Sequence, residues 1–263
     1  MPNMNQTPFS LALVTGASSG IGMALCHLLA SKGISLIITG RDATRLVQLA
    51  DELSTLVPVE FFTANLASSE RCKIIEKIHE RVPDLVINNA GFGLYGEALS
   101  YDTSMQTDMV EVNSKVVLEF TLESARALST SNKKGVILNV SSAASGLIFP
   151  CFAVYAATKT FVTQVSISLD YEMQSRGIRV LASCPGIVET HFRSRASGIE
   201  DSSQERSSMS AEFAAKQIWR QIEKKQRVHV FDWKTRAALF LARCLPRTLL
   251  AKILMNRIES YLK

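Results

Sequence analysis

Short aliphatic runs alternate with amphipathic stretches along nearly the whole chain, and this alternation limits the fold more than any other feature. The runs are "SLALVT", "ISLIIT", "VEFFTA", "DLVINN", "GVILNVS" and "IRVLASC", with "RVHVFD" as a last one. Apolar runs of this length, without regular polar positions, read as strands buried on both faces. Between them lie helical patterns near residues 20–32, 42–54, 68–81, 104–130, 152–175 and 210–225. Strand and helix repeated in this way predict an α/β architecture, a doubly wound parallel sheet with helices on both faces. A chain of 263 residues can bury such a core as one domain, expected over residues 1–232. One segment breaks the rhythm. "RSRASGIEDSSQERSSMS", residues 193–210, is polar and aperiodic and follows the sixth strand, where a substrate lid belongs in an open α/β sheet.

Composition narrows the function. The five cysteines, Cys26, Cys72, Cys151, Cys184 and Cys244, are scattered and never spaced C-x-x-C, which points to reduced thiols and a cytoplasmic protein. The four histidines show no metal-binding spacing, so no metal site is expected. The formal charge is +5, and it is concentrated: from Lys216 to Lys263 twelve Lys/Arg face Glu223, Asp232 and Glu259, leaving +9 there and −4 elsewhere. The cations alternate with leucines and no nucleic-acid motif accompanies them, so a nucleic acid is not the expected partner.

The first strand runs into "TGASSGIG". Gly16 permits a tight turn, Gly20 lets backbone amides approach a pyrophosphate, and Gly22 lets helix and strand pack closely. Phosphate would rest on the helix N-terminus at Gly20 and Ile21, with Ser18 and Ser19 adding hydroxyls. Residues 16–20 also satisfy G-x-S-x-G, the nucleophile elbow of α/β-hydrolases, with Ser18 as nucleophile and Asp232 and His229 or His191 downstream. That elbow normally follows several strands, and a hydrolase leaves Gly22 unexplained. After the second strand Gly40 stands where NAD-binding proteins tend to carry an acidic residue, and Arg41 follows; a guanidinium suits a 2′-phosphate, so NADP(H) is expected over NAD(H).

"YAATK" sets Tyr155 and Lys159 four apart, on one helical face. The pair is open to two readings: a rim tyrosine beside a lysine reaching for water, or a phenol whose pKa an ammonium lowers for proton transfer.

Together these stretches resemble the short-chain dehydrogenase/reductase family over about Leu11 to His191. The resemblance is carried by T-G-x-x-x-G-x-G at residues 15–22, N-N-A-G at 88–91, a serine in "NVSSAAS", and Y-x-x-x-K at 155–159. It implies a Rossmann fold and a carbonyl–alcohol oxidoreductase. It further implies that Tyr155 exchanges a proton with the substrate oxygen while Lys159 lowers the phenol's pKa and holds the nicotinamide ribose. Ser142, rather than Ser141, would hydrogen-bond the reacting carbonyl, and Asn113 would position a water beside the lysine. Asn65 and Leu66 would lie by the adenine, with Asn65 where the family often has aspartate. Asn89, Ala90 and Gly91 would line the cofactor, and Pro185, Gly186, Val188 and Thr190 would lie near the carboxamide. For Asn89 a purely structural role, tying strands together, stays open, and Pro185 could simply end a strand. Homodimers and homotetramers are frequent in the family.

Residues 233–263 form a basic amphipathic helical tail. Leu249, Leu250, Ile253, Leu254, Ile258, Tyr261 and Leu262 share a stripe flanked by Arg247, Lys252, Arg257 and Lys263. Such a helix can lie against anionic lipid, or pack on the domain or on a second subunit. The tail is similar to that of a bacterial branch of the family, which favours an apolar or lipid-derived carbonyl. The expectation is therefore a cytoplasmic NADP(H)-dependent reductase with peripheral membrane contact. The alternative from another class is a nucleotide-binding regulator without turnover.

Overall fold

The computed structural model describes residues 7–188, 208–246, 248–252 and 254–255. Seven strands form one sheet in the order β3-β2-β1-β4-β5-β6-β7, every neighbouring pair parallel. The strands are β1 Leu11–Thr15, β2 Ser35–Gly40, β3 Val59–Thr63, β4 Leu85–Asn88, β5 Gly135–Val140, β6 Ile178–Cys184 and β7 Val228–Val230. Among the described residues the main helices are α1 Gly20–Ser31, α2 Ala43–Leu53, α3 Cys72–Arg81, α4 Thr103–Val110, α5 Val117–Thr130, α6 Ala153–Met173, α7 Ala211–Lys224 and α8 Trp233–Cys244. Each predicted strand and helix up to residue 230 is found, with ends moved by a few residues; Ile253, Ile258, Tyr261 and Leu262 of the expected tail stripe lie outside the described residues.

Side-chain alternation along the strands explains the two layers of helices. Ala12 and Val14, Leu36 and Ile38, Leu85 and Ile87, and Val136 and Leu138 point to one face and pack with α1, α2 and α7. Leu13, Ile37, Val86, Ile137 and Val180 point to the other and pack with α3 and α5. The expectation of burial on both faces holds for the five inner strands and fails for "VEFFTA". That run is the edge strand β3, and Phe61 is 41% exposed there because, among the described residues, no strand pairs beyond it.

The chain winds outward from β1 through β2 to β3, then returns to place β4 on the other side of β1. The connections after β1 and β4 therefore diverge and leave a crevice at the carboxyl ends of these strands. A buried polar lattice holds the floor below it. Asn88 Nδ2 donates to Asn139 Oδ1 at 2.8 Å, Thr121 donates to the same oxygen at 3.1 Å, and Asn139 Nδ2 donates to Ser166 at 2.9 Å. The first asparagine of N-N-A-G thus ties β4 to β5 and, through it, to α5 and α6.

The helix expected over 104–130 is interrupted by a widened π-type turn at Glu111–Val116, which carries Asn113. Such turns displace the side chains after them, and they are frequent at functional sites. Among the described residues no helix is long and apolar enough to cross a membrane.

Candidate active site

The phosphate cradle is built from glycines that nothing else can replace. Gly16 and Gly20 have φ of +67° and +55°, and a Cβ on Gly22 would lie 2.2 Å from the Gly16 carbonyl oxygen. α1 begins at Gly20 and has no acidic residue in its first turn, so its free amides and dipole are left to attract an anion. Ile21 packs against the core behind this turn. Ser18 sits on Gly40, where a Cβ would stand 2.9 Å from the Ser18 Oγ. The glycine at the end of β2 is therefore what lets the loop close down.

Asn89 clamps the two sides of the crevice. Its Nδ2 donates to the Thr15 carbonyl at 2.9 Å and to that of Gly16 at 3.3 Å, while Thr15 Oγ1 accepts from the amides of Asn89 and Ala90 at 3.0 and 2.9 Å. Its amide nitrogen is thus spent on tying the strands, and the structural role left open for it is the one the side chain performs. Gly91 is the close-approach point beyond it. A Cβ there would meet Asn113 Oδ1 at 2.9 Å and Lys159 Nζ at 3.4 Å.

Arg41 lines the crevice with its guanidinium 5.9 Å from the Phe92 ring centre. Asp42 beside it is occupied as the N-cap of α2, accepting from the Arg45 amide at 3.0 Å. Asn65 lines the same side; its Oδ1 accepts from the Ala67 amide at 3.1 Å, and Leu66 is buried behind it.

Tyr155 and Lys159 are both buried, at 7% and 4% exposure, at the start of α6. Lys159 Nζ donates to the Val140 carbonyl at 2.9 Å and lies 5.7 Å from the Tyr155 ring centre. Burial depresses the ammonium to about 8. The phenol, contrary to the lowered value the resemblance implied, is pushed up to about 12. Burial drives the shift, a hydrogen bond with Ser142 only partly opposes it, and the Cys184 thiol adds to it. An ammonium that is itself poorly solvated cannot outweigh the loss of water around a phenolate.

Ser142 begins a short helical turn, its Oγ accepting from the Ala144 amide at 3.1 Å, and it faces Tyr155. Ser141 points the other way, donating to the Lys159 carbonyl at 2.8 Å and lying 2.7 Å from Thr163 Oγ1. Asn113 is fully buried. Its Oδ1 accepts from the Phe92 amide at 3.0 Å, and its Nδ2 donates to the Phe92 carbonyl at 2.8 Å and to Thr158 at 3.3 Å. The side chain is committed to holding the Gly91–Phe92 loop. Pro185 follows the end of β6 and its carbonyl accepts from the Ala143 amide at 2.9 Å; Gly186 and Val188 line the crevice beyond it, and Val188 bridges to Met209. Thr190 and most of the expected lid lie outside the described residues.

Sequence reasoning missed the wall beside the phenol. Phe152 stacks on Tyr155 with ring centres 4.2 Å apart and planes at 21°, and Tyr95 and Phe149 meet Phe152 edge-on at 5.4 and 5.9 Å. "FPCF", two residues before "YAATK", was the available signal. The inner side of α8, with Thr235, Leu239 and Ala242, closes the far side of a crevice of about 2080 Å³. Asp232, a candidate hydrolase acid, caps α8 by accepting from the Lys234 and Thr235 amides at 3.2 and 3.0 Å.

The family model for short chain dehydrogenase matches residues 10–200. The chain belongs to this family. As an NAD(P)-dependent short-chain dehydrogenase/reductase it interconverts carbonyls and alcohols, which removes the Ser18 hydrolase reading. This dehydrogenase is 34% identical over 189 residues to sulfoacetaldehyde reductase 2 of Chromohalobacter salexigens, spanning 69% of this chain and 74% of that one. Its fold is similar to that of a short-chain dehydrogenase from Sphingobium yanoikuyae in complex with NADPH, with TM-score 0.81, 27% identity, and coverage of 89% and 93% of the two chains. It is also similar to the bulky-bulky ketone specific alcohol dehydrogenase of Comamonas testosteroni, with TM-score 0.77, 25% identity, and coverage of 90% and 93%.

Proposed function

We propose that this dehydrogenase reduces a bulky, apolar carbonyl to a secondary alcohol with NADPH, Tyr155 supplying the proton. The observation that carries the reading is the aromatic wall of Phe152, Tyr95 and Phe149 around a phenol held in its protonated form.

The bound reduced nicotinamide would supply the hydride to the carbonyl carbon. As the carbonyl π pair moves onto oxygen, Tyr155 gives its proton to that oxygen and Ser142 supports the growing charge by hydrogen bonding. Lys159, charged below about pH 8, stabilises the phenolate left behind and holds the ribose. Water exclusion by the aromatic wall strengthens each of these interactions. The glycine cradle and the open N-terminus of α1 fit a pyrophosphate. Arg41, with Gly40 beside it and Asp42 committed to capping, favours a 2′-phosphate.

The Comamonas enzyme's bulky ketones suit the apolar surface that Phe152, Tyr95 and Phe149 present beside Tyr155; Lys234 and Arg236, which also line the crevice, are the cations a sulfonate would have to use. The exposed apolar side chains Met105, Val110 and Phe161 on α4 and α6 support a homodimer or homotetramer. A cytoplasmic enzyme in peripheral contact with anionic membrane is the setting that the basic C-terminal segment supports.

NADPH consumption over a panel of aryl ketones, long-chain ketones, 3-oxoacyl thioesters and sulfoacetaldehyde tests the reading. Turnover of the bulky apolar members over sulfoacetaldehyde supports it. Preference for sulfoacetaldehyde overturns the substrate class, and NADPH binding without turnover on any carbonyl points to the regulator.

A further inference from the structure

We infer that α8 docks this dehydrogenase on an anionic lipid bilayer through the side of the helix turned away from the crevice. Positions three and four apart share a helical face, and α8 has two such faces of different fate. Thr235, Leu239 and Ala242 face inward, with Leu239 Cδ2 3.0 Å from where a Gly146 Cβ would stand. On the opposite side Ala237, Phe240, Leu241 and Cys244 form an apolar stripe, and Trp233, which also borders the crevice mouth, stands at its start. Trp233, Phe240 and Leu241 are 65%, 68% and 63% exposed. Leu245 and Leu249 carry apolar exposure onward past the helix end. Large side chains left this open, in a row, mark an interaction surface rather than ordinary surface scatter.

The charges around the stripe select the occupant. From Trp233 to Ile258 the chain carries Lys234, Arg236, Arg243, Arg247, Lys252 and Arg257 and no Asp or Glu. The neighbouring carboxylate, Asp232, is committed to the helix N-terminus. An apolar stripe in a segment whose charged residues are all cations, with Lys234 and Arg236 at the edge between stripe and crevice, complements a bilayer, where acyl chains take the stripe and anionic headgroups take the cations. A second copy is disfavoured, because pairing two such stripes about a two-fold axis sets cation against cation with no acid between them. An exposed tryptophan beside phenylalanine and leucine suits the headgroup boundary. The docking face is independent of the catalytic assignment. Its consequence, that an apolar carbonyl reaches the crevice from lipid under α8, rests on the proposed substrate class.

The test uses the full chain with vesicles of phosphatidylcholine, alone or mixed equally with phosphatidylglycerol. Trp219 is 5% exposed and Trp233 is the other of the two tryptophans, so changes in emission and quenching by brominated lipid report on α8. The expected result is co-sedimentation with anionic vesicles at least about tenfold above that with neutral ones, lost at high salt. Quenching of Trp233 should accompany it. The Phe240→Ser/Leu241→Ser double variant should lose co-sedimentation while oxidising NADPH with a small water-soluble ketone as the parent does. Three results overturn the inference: no retention of the parent on anionic vesicles at low salt, retention of the double variant equal to the parent's, or loss of a parent dimer in the double variant, which would make the stripe a subunit interface. NADPH oxidation is read separately, so failure of docking and failure of the catalytic reading are distinguished.

Discussion

Lys159 Nζ rests on the Val140 carbonyl at 2.9 Å, 5.7 Å from the centre of the Tyr155 ring, in a site that burial makes hostile to charge on either group. The phenol is held at about 12 and the ammonium at about 8. Tyr155, the proposed acid, is therefore protonated throughout the physiological range, and the lysine is the group whose charge changes near it.

For NADPH, kcat/KM in the reductive direction should stay level through neutrality and fall above about pH 8, as Lys159 in the free enzyme loses its proton. Tyr155 adds no second descent until about pH 12. A pH–rate profile checks this; a fall set in below pH 7, with none near 8, goes against it.

The same lysine should be visible in stability. Its ordinary value of 10.5 drops to about 8 on folding, so between those values the unfolded chain binds more protons than the native one. The stability of the parent minus that of Lys159→Met should rise with pH across this window and level off above it. Urea unfolding of both proteins at pH 7.5, 9 and 10 would measure it, and a flat difference would contradict buried, poorly solvated lysine.

The parts of this molecule legible in its sequence are those that a backbone pattern writes locally. Aliphatic runs fix the strands, and the glycines fix a cradle, at 16 and 22 because a Cβ there collides with backbone and at 20 because its φ is +55°. Pairwise chemistry was less legible. Nothing in "VEVNSK" shows that the chain widens into a π-type turn that turns Asn113 onto Phe92, or that Phe152 lies flat on Tyr155 three residues on. The pKa of Tyr155 was misjudged for the same reason. Spacing four apart shows that a phenol and an ammonium share a face, but not that both lose their water.

Arg41→Ala should raise KM for NADPH by roughly 10–100-fold, the scale of one lost charge-assisted pair, and leave that for NADH nearly unchanged. Steady-state kinetics with both nucleotides decides it. Equal losses for the two would place Arg41 on a group they share.

At the opposite end of the sheet Asp170, fully buried, accepts from Arg179 at 2.7 and 2.9 Å, from Arg227 at 2.6 Å and from the Val180 amide at 3.0 Å. Burial alone would raise its carboxyl, but the bonds from Arg179, the Val180 amide and Arg227 more than offset it and hold it below its ordinary value of 3.8. Its contribution is thus present above 3.8 and is lost as pH falls through the lower folded value. Asp170→Asn should cost about 3–5 kcal/mol at neutral pH by leaving two guanidinium groups uncompensated, with the gap to the parent narrowing below pH 3.8. Thermal unfolding at neutral and acid pH measures both.

The most direct test removes one oxygen. With the carbonyl that the panel shows to be turned over, Tyr155→Phe should lower kcat for NADPH oxidation by about 10²–10⁴-fold, the usual worth of a positioned general acid, while NADPH binds within about threefold of the parent's affinity. Turnover within about threefold of the parent's would mean that another group delivers the proton, and the account of this site would fail.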